Sequence, residues 1–115
     1  MELKARSMVS DGTNVYVATQ GSLQKIVAAT GVNTTLDNTK RFNALTYGNS
    51  TLWGADQDGI YSINVTTGAL TEVVMLPGIT QIIYFTTTNM LVLKGNSLVN
   101  VTLADGSYAY IAQNL

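Results

Sequence analysis

Cysteine and histidine are both absent from this 115-residue chain. Without cysteine there is no disulfide, no thiolate metal site and no thiol nucleophile, and the redox compartment stays open. Without histidine the commonest general base and the commonest transition-metal ligand are missing, so no Ser-His-Asp set can be built. Proline occurs once, at Pro77, and charged residues make up only 11%, against a usual share of about 25%. The net charge is −1, and the six basic residues are scattered, with Lys40-Arg41 the single adjacent pair. Nucleic-acid binding needs many phosphate-neutralising cations and is not expected. A membrane partner is not expected either, because no basic amphipathic stretch occurs and no apolar run approaches the ~20 residues of a spanning helix. The opening residues, MELKARSMVS, lack the apolar core of a signal peptide, which fits an intracellular protein or a mature form.

Apolar residues are plentiful at 46%, enough for the core of one small domain. Four Asn-x-Ser/Thr sequons occur, at Asn33, Asn49, Asn64 and Asn100. Composition alone supplies about two, so carbohydrate attachment is not the expected reading. The compartment stays open, with an extracellular or surface-exposed setting preferred to a cytoplasmic one.

The chain repeats itself. A shift of 37 residues lays a first copy on a second, and a shift of 38 lays the second on a third, without gaps inside the unit. Met8, Leu45 and Ile83 then share a column, as do Val15, Leu52 and Met90. Leu23 aligns with Ile60 and Leu98, Ile26 with Ile63 and Val101, and Leu36 with Val73 and Ile111. Gly31, Gly68 and Gly106 coincide. The units run approximately over 4–40, 41–78 and 79–115, within a single repeat domain 1–115.

Each unit reads as four short strands. The first lies near 5–10, 42–47 and 80–85; the second is NVYVAT, TLWGAD and NMLVLK. The third is LQKIVA, IYSINV and LVNVTL, and the fourth TTLDN, TEVVM and YAYIA. Val, Ile, Tyr and Thr dominate, and runs of this length suit strands rather than helices. The breaks are turn chemistry: SDGTN, YGNST and TTTN after the first strand, ATG, TTG and ADG before the fourth. The glycine column fits a position of positive φ, where a β-carbon would clash. Pro77 falls between the second and third units, where a lost N–H does little harm. MLVLK and EVVML are apolar on both faces, as in sheets covered on both sides, which points to blades stacked about an axis.

DGTNVYVATQGSLQKIVAATG and STLWGADQDGIYSINVTTG resemble blades of the β-propeller repeat proteins, the YVTN, quinoprotein-like and NHL-like group. The shared pattern is an Asp/Asn-Gly turn, an apolar strand, a short glycine-bearing loop and a strand running into Thr-Gly. The resemblance implies an all-β fold of four-stranded antiparallel blades and says little about chemistry. Propellers usually have at least four blades, whereas this chain encodes three. Three blades make half a ring with two uncovered apolar faces, and burying such surface yields about 25 cal/mol per Å². Homodimerisation, first blade against third in a heterologous contact, would close a six-bladed ring. A piece of a longer propeller would read the same way. The alternative fold is a β-trefoil, also three units of four strands, with a jacalin-like β-prism a weaker rival.

The loop ADQDG is the most polar, with Asp56 and Asp58 two residues apart. Calcium needs six or more oxygens, no later Glu completes the set, and the corresponding loops TQGS and KGNS carry no carboxylate. The expected reading is a solvated turn, with no metal and no cofactor. A glycosidase pair needs carboxyls about 5–10 Å apart across a cleft, which neighbours on one exposed loop do not supply. No glycine-rich phosphate loop appears, so an enzyme is not expected. Tyr16, Trp53 and Leu91 share a column that fills space between blades rather than stacking a sugar. In propellers the loops joining second and third strands, with the links between blades, line the ligand face. By position the resemblance places Gln20, Asp56, Gln57, Asp58, Lys94 and Asn96 there, with Arg6, Arg41 and Gln81, taken as a column near the blade junctions, close by. The expectation is a non-catalytic recognition or structural module that closes by self-association and presents a polar loop face to a protein or carbohydrate. The alternative is a monomeric sugar-binding trefoil-type lectin, or a fragment of a larger propeller.

Overall fold

A computed structural model describes residues 5–115 of the chain. Twelve strands form three separate four-stranded antiparallel sheets, each a simple meander. Blade 1 holds β1 (Ala5–Ser10), β2 (Asn14–Thr19), β3 (Leu23–Val27) and β4 (Asn33–Asp37). Blade 2 holds β5 (Ala44–Gly48), β6 (Thr51–Ala55), β7 (Gly59–Ile63) and β8 (Leu70–Met75). Blade 3 holds β9 (Ile79–Tyr84), β10 (Asn89–Lys94), β11 (Ser97–Thr102) and β12 (Tyr108–Ala112). Among the described residues no strand crosses from one sheet to another, so the units do not interlock into the single barrel of a trefoil. The protein is a three-bladed arc of β-propeller architecture, with β1, β5 and β9 side by side along its inner edge.

The core lies between the blades. Tyr16, Ala18 and Leu23 of blade 1 meet Leu45, Leu52 and Ile63 of blade 2. On the other side of blade 2, Ala55 and Ile60 meet Ile82, Met90, Val92, Val99 and Val101 of blade 3. Because side chains alternate along a strand, Leu52 serves the first interface while its neighbour Trp53 serves the second. This is why the middle unit is apolar on both faces. Tyr16 stacks on Tyr47 at 6.2 Å and Trp53 on Tyr84 at 6.5 Å, so both rings are spent on packing between blades.

Strand pairing corrects one column of the repeat. Met8 faces Val17 and Leu45 faces Gly54, and the residue that faces the equivalent Val92 is Ile82, not Ile83. The third blade has one extra residue in the turn between β9 and β10, so its first strand sits 37 residues from its counterpart and the rest 38. Arg6, Arg41 and Gln81 do not form one structural column either: the shift of 37 residues sets Arg6 against Asn43, and Arg6 Nη1 donates to Asn43 Oδ1 at 3.0 Å.

The outer edge repeats with more fidelity than its sequence. In each blade the third-to-fourth strand ladder slips by one residue, and the extra residue is Leu36, Val73 or Ile111. The apolar column of the fourth strand is therefore a column of β-bulges. The glycine column closes the turn before it: Gly31, Gly68 and Gly106 have φ of 76°, 79° and 74°. Their N–H groups donate to Val27, Asn64 and Thr102 carbonyls at 2.7, 2.7 and 2.8 Å.

Candidate functional site

The link from β4 to β5 and the turn from β6 to β7 converge on one rim at the junction of blades 1 and 2. Asp37 sets the link: its Oδ2 accepts the N–H groups of Thr39 at 3.0 Å and Lys40 at 2.9 Å, and its Oδ1 takes the Thr39 hydroxyl at 2.7 Å. That hairpin of bonds turns Lys40 back over blade 2. Its Nζ donates to Tyr61 Oη at 3.1 Å and lies 4.7 Å from the Tyr61 ring centroid.

Asp56 answers it from the turn. Its Oδ1 accepts the N–H groups of Asp58 at 2.8 Å and Gly59 at 3.0 Å, which folds the β6–β7 turn. Its Oδ2 lies 3.6 Å from Lys40 Nζ. The hydrogen bond to Tyr61 holds the Lys40 ammonium above its ordinary range, with burial opposing and the Asp56 charge reinforcing. Sequence reasoning takes this loop as solvated, yet Asp56 is only 5% exposed and is the one buried charged residue among those described. A carboxylate is tolerated there because both its oxygens are satisfied.

Around this pair a cleft of about 570 Å³ opens, lined by Arg6, Thr39, Lys40, Arg41, Asn43, Asp56, Gln57 and Asp58. It gathers three of the chain's six basic residues into a molecule whose net charge is −1, against two carboxylates, so the cleft is locally cationic. Five of the residues placed on the ligand face by position meet here: Arg6, Arg41, Asp56, Gln57 and Asp58. Gln20 is exposed on the β2–β3 turn of blade 1 and Asn96 on the β10–β11 turn of blade 3, where its carbonyl accepts the Leu115 N–H at 2.9 Å. Lys94 ends β10 with its stem beside Gly78. Gln81 belongs elsewhere, on the outward face of blade 3 with Ile83, Leu91, Leu93 and Leu98. Thr39, Lys40 and Asn43 were missed by sequence reasoning. The adjacent pair Lys40-Arg41 carried the signal for one of them.

Elsewhere the carboxylates build turns. Asp11 Oδ1 accepts Thr13 and Asn14 N–H groups at 2.9 and 2.7 Å, and its Oδ2 accepts the Tyr16 hydroxyl at 2.9 Å. The backbone N–H of Asn14, then that of Thr13, keeps Asp11 below the usual carboxylate range. Burial, then the neighbouring Asp11, pushes the Tyr16 phenol up to about 12. Among the described residues no three acidic side chains stand close enough to hold a metal ion. Two guanidinium groups, side-chain amides and the Asp58 carboxylate line this one cleft.

No protein-family model matches the sequence, and neither does any curated protein. Solved structures match over most of the chain. A chain of a nidogen/laminin complex superposes over 91% of this chain and 45% of its own, with TM-score 0.81 and 17% identity. Glutaminyl cyclase from Myxococcus xanthus matches over 91% of this chain and 50% of its own, with TM-score 0.71 and 17% identity. Regucalcin from Agrobacterium tumefaciens, described as a calcium-binding protein, matches over 98% of this chain and 44% of its own, with TM-score 0.74 and 17% identity. All three are β-propeller or propeller-like proteins, and similarity at this level concerns the fold alone. The chain spans about half the length of each.

Proposed function

We propose that the protein is a non-catalytic recognition module: half of a propeller ring, completed by self-association, that offers the cleft at the junction of blades 1 and 2 to a polar ligand carrying negative charge. The cleft itself carries the proposal. Its volume of about 570 Å³ falls in the range of ~300–1,000 Å³ common for small-ligand sites, and it brings together three of the chain's six basic residues. Arg41 and Arg6 supply planar donors suited to a carboxylate, while Asp58, Gln57 and Asn43 supply the amide and acceptor groups that sugar hydroxyls use. An acidic glycan presents both kinds of group on one molecule. The absence of catalysis is part of the proposal: the buried carboxylate, Asp56, has one oxygen engaged by the N–H groups of its own turn and the other beside the Lys40 ammonium, a role in holding the fold.

The test is an array of neutral and acidic oligosaccharides probed with the 115-residue chain, followed by calorimetry on Arg41→Ala and Asp58→Asn. Binding of uronic- or sialic-acid-bearing glycans, weakened about tenfold or more by Arg41→Ala, is the expected result. Preference for neutral glycans, or binding indifferent to both substitutions, contradicts the assignment. Capture of an acidic peptide at the same residues would redirect it to a protein partner.

A further inference from the structure

The two ends of the arc carry complementary blade faces. On the outward face of blade 3, Leu91, Leu93 and Leu98 are the structural equivalents of Tyr16, Ala18 and Leu23 in blade 1, all of which are fully buried against blade 2. On the outward face of blade 1, Met8, Val15 and Val17 are the equivalents of Ile82, Met90 and Val92 in blade 3, which are buried against blade 2. Met8 is instead 71% exposed. No charged side chain stands among either set. One end thus carries the face that a blade offers to its successor, and the other the face that a blade offers to its predecessor.

The glycine column adds a steric marker. A β-carbon on Gly68 would stand 1.9 Å from the Leu36 carbonyl oxygen of the preceding blade, and one on Gly106 would stand 2.3 Å from Val73 O. Both oxygens belong to bulge residues. Inside the chain, then, each bulge carbonyl is seated against the glycine of the next blade. Gly31 has the same left-handed φ and the same turn hydrogen bond, yet nothing lies within 4 Å of its β-carbon position. The unmatched partner of the series is Ile111, the bulge residue of blade 3, whose side chain is 55% exposed.

We propose that a second copy of this chain docks head to tail, seating its Gly31 on the Ile111 carbonyl and its Val15–Val17 face on Leu91, Leu93 and Leu98. This rests on the self-association proposed above and specifies its register and polarity. The occupant is a second copy because the chain itself carries, on blade 1, a surface that continues the internal series. Two arcs related in this way make both contacts at once, and three blades plus three match solved chains about twice as long. The contact is heterologous yet closed.

The experiment is sedimentation equilibrium on the wild-type chain and on Gly31→Asn, Val17→Glu and Leu91→Glu, with Gly12→Asn as control. Asparagine tolerates positive φ, so Gly31→Asn adds a side chain at the seat with little backbone strain; Gly12 (φ 96°) likewise has open space around it but lies outside the glycine series. The wild type is expected at twice 12.3 kDa. Gly31→Asn is expected to weaken dimerisation at least about a hundredfold, since each dimer contains two seats, with Gly12→Asn unaffected. Val17→Glu and Leu91→Glu are each expected to be monomeric, and their equimolar mixture to form a heterodimer through the one contact that remains intact. A monomeric wild type overturns the self-association itself. A dimer indifferent to Gly31→Asn and Val17→Glu leaves self-association standing and overturns the head-to-tail seat. Circular dichroism of each variant shows whether it is folded, and the Glu variants test the contact independently of any strain at Gly31.

Discussion

The carboxylate of Asp56 divides its oxygens between a turn and a cation, and two substitutions separate the contributions. Asp56→Asn keeps an acceptor for the Asp58 and Gly59 N–H groups and loses the charge facing Lys40, a cost of about 1 kcal/mol. Asp56→Ala leaves both N–H groups without their acceptor and is expected to cost about 2–4 kcal/mol in urea unfolding. Equal costs would mean that the turn bonds contribute nothing. Tyr84 presents the opposite case: its hydroxyl is buried with no hydrogen-bond partner among the described residues, so Tyr84→Phe is expected to raise stability by about 1 kcal/mol, and a lowered melting temperature would contradict this. Tyr16 links stability to pH. Its phenol is pushed up to about 12 from 10.0, so the native state holds the proton more tightly than the unfolded chain. The resulting stability is present in full below pH 10 and lost as pH rises from 10 to 12, a loss on the order of 2–3 kcal/mol. Melting curves across that window are expected to show the loss in the wild type and a shallower slope in Tyr16→Phe.

Among the elements, the turn before each fourth strand shows how one sequence column acquires three energetic values. Gly31, Gly68 and Gly106 share a conformation, but Gly68 and Gly106 also press on a neighbouring carbonyl. Under conditions where the chain is monomeric, Gly31→Ala is expected to cost about 1–2 kcal/mol for the left-handed conformation alone. Gly68→Ala is expected to exceed it by several kcal/mol or abolish folding, and similar costs at both positions would contradict the carbonyl seat. This column was legible in the sequence because glycine best suits a turn of positive φ, and the twelve strands were legible because Val, Ile, Tyr and Thr runs end at Gly, Asn and Asp. The bulges at Leu36, Val73 and Ile111 were visible only as an apolar column, since a slip in pairing leaves no mark on composition. The register of β9 was misread for a plain reason. Residues 82 and 83 are both isoleucine, so either fits an apolar column, and the extra residue hides in a threonine-rich turn. The burial of Asp56 was hidden as well, because it depends on Lys40 and Tyr61 arriving from other elements.

At the scale of the whole molecule, stability is distributed over interfaces between sheets, and a chain of three blades has two such interfaces where a ring of six has one for every blade. The arc measures 42 × 30 × 21 Å, flat and open, with apolar faces at both ends. Its cleft lies at an internal junction, so ligand recognition and ring closure are separable properties. Small-angle X-ray scattering across a concentration series tests the central claim, that the three-bladed chain is incomplete alone. The account predicts a particle of twice 12.3 kDa whose radius of gyration is well above the 13.9 Å of the single arc. A particle of 12.3 kDa with a radius near 13.9 Å at every concentration would contradict it.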